Sequence, residues 1–155
     1  MASGADDRPS QPSPLLIPPE IVAAMVDHCR REAPLECCGL LGGNAPAVAT
    51  IHPLRNVEAS PTRYLADPRD VIAAVVALRG RGSEIVAIYH SHPEWAAVPS
   101  RVDLETNYYG DLPRIIVSLL GPVPEVRAWR LGPDSFEEVP WHEPPSGVVS
   151  AGPTD

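Results

Sequence analysis

The stretch Tyr89-His90-Ser91-His92-Pro93-Glu94-Trp95-Ala96-Ala97-Val98-Pro99-Ser100-Arg101-Val102-Asp103 decides how this chain is read. It grows out of an apolar run, Ile85-Val86-Ala87-Ile88-Tyr89, of the kind that forms a buried strand. In a strand, residues i and i+2 point to the same face, about 6–7 Å apart along the chain, so His90 and His92 project together. Zinc accepts imidazole nitrogen and carboxylate oxygen at about 2.0–2.2 Å, which lets two rings at one strand end share an ion that Asp103 completes. Three protein ligands leave a fourth position open, the arrangement of catalytic rather than structural zinc sites. Each piece also has a plainer reading. A His-x-His pair is commonly two polar residues leaving a sheet. Ser100-x-x-Asp103, ahead of Leu104, is also a helix start with Ser100 as N-cap and Asp103 at the third helical position. The two readings are compatible, because a cap sets where the Asp103 carboxylate sits.

Taken together, these residues resemble the JAMM (MPN+) metalloproteases, whose pattern is an upstream Glu, then His-x-His-Pro, a short loop, and Pro-Ser-x-x-Asp. The match is complete from His90 to Asp103, and the resemblance extends from about Leu15 to Val139. It implies an α/β chain with a cytidine-deaminase-like MPN/JAB fold, a mixed central β-sheet flanked by helices. It implies one Zn2+ per chain held by His90, His92 and Asp103, with Ser100 helping to stabilise a tetrahedral intermediate and the Glu acting as general acid/base. Context selects Glu36. It lies in Ala33-Pro34-Leu35-Glu36-Cys37-Cys38-Gly39-Leu40-Leu41-Gly42, which resembles the family's passage from helix to strand. The rival, Glu32, belongs with Arg30 and Arg31 to the charged end of a helix.

The resemblance further implies hydrolysis of a peptide or isopeptide bond after the C-terminal Gly-Gly tail of a ubiquitin-like or sulfur-carrier protein, as in small bacterial members. Asn56 and Tyr64 lie in a long connection that resembles a stretch of those members, and they are expected to line the substrate groove. Trp95, between the ligands, reads as a lip for an extended tail or as an anchor for its own loop. Two other classes compete. A non-catalytic MPN scaffold would hold partners, but such members usually lack some of the ligands present here. A small-molecule zinc amidase or deaminase-like hydrolase would use the same metal, although the Pro-Cys-x-x-Cys pair of zinc deaminases is absent.

Length and composition set the frame. The 155 residues, 44% apolar, suit one metallopeptidase domain over 15–141, with Ser-, Pro- and Gly-containing tails at 1–14 and 142–155 expected to be disordered. No run approaches the roughly 20 apolar residues of a membrane span, and no basic leader precedes an apolar stretch, so a cytoplasmic protein without membrane partners is expected. A formal net charge of −8 with scattered Lys and Arg argues against nucleic acid. Three cysteines, Cys29, Cys37 and Cys38, fit a reducing compartment better than a disulfide framework. Adjacent Cys37 and Cys38 point to opposite faces of a strand and read as small apolar filler. A redox or metal role for Cys37, beside Glu36, stays open. His28, His52 and His142 read as structural or solvated.

Periodicity places the elements. Pro18-Pro19-Glu20 opens a helix with Ile21, Val22, Met25, Val26 and Cys29 on one face, ending before Pro34. Strands near Cys38–Leu41 and Val48–His52 form a hairpin about Gly42-Gly43-Asn44. Asp67-Pro68 caps a helix over Arg69–Leu78 whose Val71, Ile72, Val75, Val76 and Leu78 predict heavy burial. Two strands flank Gly121-Pro122, and a last one, Phe136–Val139, with its glutamates, suits a sheet edge.

Overall fold

The computed structural model describes residues 13–145; the expected tails 1–14 and 142–155 lie mostly outside them. Eight strands form one mixed sheet in the order β7-β6-β5-β4-β2-β3-β1-β8. They are β1 (Leu15–Leu16), β2 (Cys38–Asn44), β3 (Ala47–Leu54), β4 (Glu84–His92), β5 (Arg114–Ser118), β6 (Glu125–Leu131), β7 (Phe136–Val139) and β8 (Trp141–His142), with helices α1 (Pro19–Glu32), α2 (Pro68–Gly80) and α3 (Arg101–Glu105) between them. β4 and β5 run parallel, joined through α3, while β2 pairs antiparallel with both β3 and β4.

Strand alternation divides the core. On one face Ile21, Met25 and Cys29 of α1 pack with Cys37, Leu41, Ala87, Tyr89, Ile115 and Val117. On the other, Ala74 and the partly buried Val71 of α2 pack with Cys38, Leu40, Leu54 and Ile88. Cys37 and Cys38 therefore do face opposite sides. His90 and His92, at even spacing from Ile88, belong to the α2 face, and α3 covers that face further along, where Leu104 packs against a cluster that includes Ile116. His28 is buried on α1, where its Nδ1 lies 2.7 Å from the Tyr89 hydroxyl.

Several expectations need correction. Gly42, Gly43 and Asn44 are not the turn; they complete β2, with a register shift at Gly42/Gly43, and the chain reverses at Ala45-Pro46. Close approach explains the glycines better than turn geometry does. A Cβ on Gly42 would lie 2.2 Å from Leu78 Cδ2, and one on Gly43, at φ 155°, would lie 2.3 Å from the Ala47 carbonyl oxygen. α2 begins as read, with Asp67 accepting a hydrogen bond from the Arg69 N–H at 2.9 Å. It is not heavily buried. Only Ala74 and Leu78 are, while Ile72 and Val76 stand 63% and 64% exposed, because α2 lies on the sheet with one face and nothing among the described residues covers the other. β1 and β8 were not anticipated. They pair in parallel, so that His142, expected in the tail, accepts a hydrogen bond from Ile17 N at 2.9 Å. β7 takes the edge position expected of it.

Gly39 shows how tightly β2 and β4 are coupled. It pairs with Tyr89, and a Cβ there would meet the Tyr89 ring at 2.2 Å. Gly39→Ala is expected to lose about 1–3 kcal/mol in urea unfolding through this overpacking. Combined with Tyr89→Leu, it should cost less than the sum of the two single changes. Strict additivity would show that the ring does not set the limit.

Candidate metal centre

Sheet register builds the site. Cys38 pairs with His90, and the pairing continues one step beyond β2 through Ser91 N–H to the Cys37 carbonyl at 3.0 Å. The next step of this antiparallel register sets Glu36 across from His92. Two bonds from the long connection 55–67 hold the Glu36 backbone: its N–H donates to the Ser60 carbonyl at 2.8 Å, and its carbonyl accepts from Asn56 Nδ2 at 3.0 Å.

His90, His92 and Asp103 come together. The two imidazole Nε2 atoms lie 3.2 Å apart, Asp103 Oδ1 lies 3.1 Å from that of His90, and Asp103 Oδ2 lies 3.1 Å from that of His92. Bonds of about 2.0–2.1 Å at tetrahedral angles would space ligand atoms about 3.3–3.4 Å apart, so these three side chains fit one face of a zinc polyhedron. His92 Nδ1 meets the Ala96 carbonyl at 2.8 Å, which makes Nδ1 the donor and leaves the Nε2 lone pair facing the cluster. Glu36 also lies within reach: its carboxylate and the two imidazoles offer atoms within 4.8 Å of one another. Both Asp103 oxygens meet the imidazoles, whereas buried Glu36 Oε1 has no partner among the described residues.

Local structure delivers Asp103. Ser100 and Asp103 form a capping box, with Ser100 Oγ accepting from Asp103 N–H at 3.1 Å and Asp103 Oδ2 accepting from Ser100 N–H at 2.8 Å. The cap uses only an acceptor lone pair of Ser100, so its O–H remains available to donate. Ser100, Glu36, His92, Trp95 and Thr62 line a cleft of about 340 Å³. A larger hollow at the opposite end of the sheet, about 460 Å³ between Pro46, Ile85 and Val139, contains none of these residues. Trp95 is 59% exposed at the cleft edge, while its backbone is held from below by Ser118 Oγ–H donating to the Trp95 carbonyl, and Trp129 Nε1–H donates to the Ala97 carbonyl at 2.9 Å.

Asn56 and Tyr64 do not line this cleft. Asn56 spends its whole hydrogen-bonding capacity on the fold: Nδ2 donates to Glu36 and Arg63 carbonyls, and Oδ1 accepts from Glu58 and Leu65 N–H. Tyr64 stacks on His90, centroids 4.8 Å apart, and accepts a hydrogen bond from Arg114 Nη1 at 2.6 Å. They stand beside Glu36 and His90 rather than in this cleft, although Thr62 of the same connection lines it and Asn56 borders a second hollow with Glu36. Arg114, buried and donating also to Asn107 Oδ1 at 3.0 Å, is a part of this support that the sequence did not reveal. A charge at the head of an apolar run looks the same whether it ends in solvent or under a tyrosine.

Electrostatics follow from burial and proximity. Burial would raise the Asp103 carboxyl, but His90, the imidazole hydrogen bonds and Ser100 N–H hold it far below the usual range. Burial lowers His90 despite Asp103; in His92, burial acts downward too but is outweighed by hydrogen bonds with Asp103 and Ala96, so His92 is raised. Glu36 is raised from 4.5 to about 8, chiefly by burial, with His92 opposing and Asp103 adding. A carboxyl raised in the folded state ionises first in the unfolded chain, so metal-stripped protein loses stability as pH rises from about 4.5 to about 8. Glu36→Gln removes that loss. Its stability advantage over the parent, by urea unfolding of stripped protein, is expected to grow across this window to about 2–4 kcal/mol, and a constant gap would contradict the shift.

The family described as "Prokaryotic homologs of the JAB domain" matches residues 18–132. A probable TtuB-protein conjugate cleaving protease of Thermus thermophilus is 42% identical over 59% of this chain and 62% of its own length. A desampylase of Haloferax volcanii is 32% identical over 75% and 86%, and a CysO-cysteine peptidase of Mycobacterium tuberculosis 34% identical over 81% and 88%. Among solved structures, a Desulfitobacterium hafniense protein superposes with TM-score 0.77 at 29% identity, covering 86% of this chain and 97% of that one. A JAB1/MPN domain protein of Archaeoglobus fulgidus, 17% identical with TM-score 0.56 over 84% and 98%, shares the fold. With a family match across most of its length and relatives above 30% identity over most of both chains, the chain belongs to the prokaryotic homologs of the JAB domain.

Proposed function

We propose that this protein is a zinc metallopeptidase that hydrolyses a peptide or isopeptide bond after the Gly-Gly tail of a ubiquitin-like or sulfur-carrier protein. One observation carries the reading: two imidazoles and a carboxylate converge at 3.1–3.2 Å beside a buried carboxyl with an unpartnered oxygen. A scaffold would have no use for a desolvated, unpaired Glu36, since burying such a group costs stability. Relatives named for cleaving TtuB conjugates and CysO-cysteine support the substrate class. No helix among the described residues is long and apolar enough to cross a membrane.

His90, His92 and Asp103 would hold the ion, and Tyr64 with Arg114 keeps the His90 ring in place. When bound, zinc supplies Lewis acidity that lowers the pKa of water and polarises the scissile carbonyl. Glu36, pinned through its backbone by Ser60 and Asn56, accepts the water proton at its free oxygen and passes it to the leaving nitrogen. Burial raises the Glu36 carboxyl to about 8 in the metal-free protein, and a cation bound beside it would lower that value toward the ionised form that accepts a proton. Ser100 O–H donates to the developing oxyanion, and the cleft edged by Trp95 is where an extended glycine tail would lie.

Metal analysis of purified protein is expected to find about one zinc per chain, lost in His92→Ala. Incubation with a Gly-Gly-tailed carrier extended by a few residues should release the extension. Glu36→Gln should retain zinc and lose release, and Ser100→Ala should slow turnover on the order of 10²–10³-fold. Protein free of metal points to the scaffold, and turnover of free amides with every tailed carrier intact points to the amidase.

A further inference from the structure

Two thiols lie together beside the site and take no part in the proposed hydrolysis. Cys29, near the end of α1, and Cys37, next to Glu36, are both buried and free, with Sγ atoms 3.1 Å apart. The third thiol, Cys38, faces the other side of the sheet, 4.0 Å from the Leu54 carbonyl. We propose that Cys29 and Cys37 form a reversible disulfide on exposure to a hydroperoxide, and that this bond displaces Glu36 and switches the enzyme off.

Proximity comes first. The sulfurs need close by only about 1 Å to reach a disulfide length of about 2.05 Å. Cys37 is buried but borders a hollow of about 320 Å³ that it shares with Glu32, Leu35, Glu36 and Asn56 and that is separate from the cleft, so a local opening beside this hollow would bring a small peroxide to Cys37 away from His90, His92 and Asp103. The Cys37 thiol is also lowered toward ionisation by its hydrogen bond with Cys29, with burial opposing and His28 and Ser91 adding.

Coupling to the site runs through the backbone. Cys37 is bonded to Glu36, its N–H donates to Ser91 Oγ at 2.8 Å, and its carbonyl accepts from Ser91 N–H; Ser91 stands between His90 and His92. Drawing Cys37 toward α1 pulls directly on the neighbouring Glu36. A displacement of about 1 Å in a catalytic group can cost on the order of 10²-fold in rate.

The chemistry balances. Cys37 thiolate attacks one oxygen of hydrogen peroxide, the O–O bond breaks, and the departing hydroxide leaves as water after taking up a proton, giving a sulfenic acid at Cys37. Cys29 sulfur then attacks the Cys37 sulfur, the S–O bond breaks, and the hydroxyl departs with the Cys29 proton as a second water. Two thiols and one peroxide become one disulfide and two waters.

The test uses full-length, zinc-loaded protein pulsed with hydrogen peroxide, quenched by alkylation and mapped by mass spectrometry. A peptide pair linking Cys29 to Cys37, with Cys38 alkylated, is expected. Release from the tailed carrier should fall by at least ~10-fold with zinc retained, and return with a phosphine reductant. Cys29→Ala, or Cys29→Ser should the alanine leave a void, should keep basal release, form no linked pair and resist the same pulse. An unlinked parent, equal inactivation of both Cys29 variants, inactivation tracking zinc loss, or a linked parent with undiminished release each overturns the proposal. The switch rests on the peptidase reading, but the peptide map does not: a linked pair in a protein that never cleaves a tailed carrier counts against that reading alone.

Discussion

The antiparallel register of β2 against β4 is the constraint on which the site depends. Pairing Cys38 with His90 places Glu36 opposite His92 and Cys37 against Ser91, so one set of backbone hydrogen bonds brings the carboxyl to the imidazoles. A slip of one residue would turn Cys37 to the α2 face and Glu36 away from the cluster. Gly39 protects that register by leaving room for the Tyr89 ring, whose hydroxyl meets His28 on α1. Packing on one face of the sheet thus sets chemistry on the other.

Around that register the protein supports buried polar groups from behind. Asn56 holds the Glu36 carbonyl, Tyr64 stacks on His90, Arg114 holds Tyr64, and the Ser100 cap holds Asp103. Each bond replaces water that burial removes, which is the condition for keeping charged groups inside a fold. Glu36 Oε1, like His90 Nδ1 and Arg114 Nε, is buried with no hydrogen-bond partner among the described residues, and burial is the chief cause of the raised Glu36 pKa. Under the proposed function that cost falls on the group that accepts and releases a proton.

Short-range features were legible. His90 and His92 share a face because strand alternation is local, and Ser100-x-x-Asp103 reads as a cap because a cap is made within four residues. α1, the Asp67 cap and the edge position of β7 followed from the same kind of pattern. Elements two residues long, β1 and β8, carry no periodicity and depend on neighbours far along the chain. The outer face of α2 looked buried because Ile72 and Val76 are apolar, yet apolar character does not supply a covering layer.

The sequence by itself determined which imidazoles, carboxylates and hydroxyl the chain offers, their order and spacing, and the resemblance that singles out Glu36, because these reside in residue identity and local spacing. Tertiary structure decided what surrounds them. Asn56 and Tyr64 became supports rather than groove lining, Arg114 came to stand behind His90, and Cys29 came to lie against Cys37, each through contacts between segments that only sheet pairing and helix packing bring together. Such contacts depend on register and on which faces are buried, quantities summed over the whole fold and written in no single stretch of the chain.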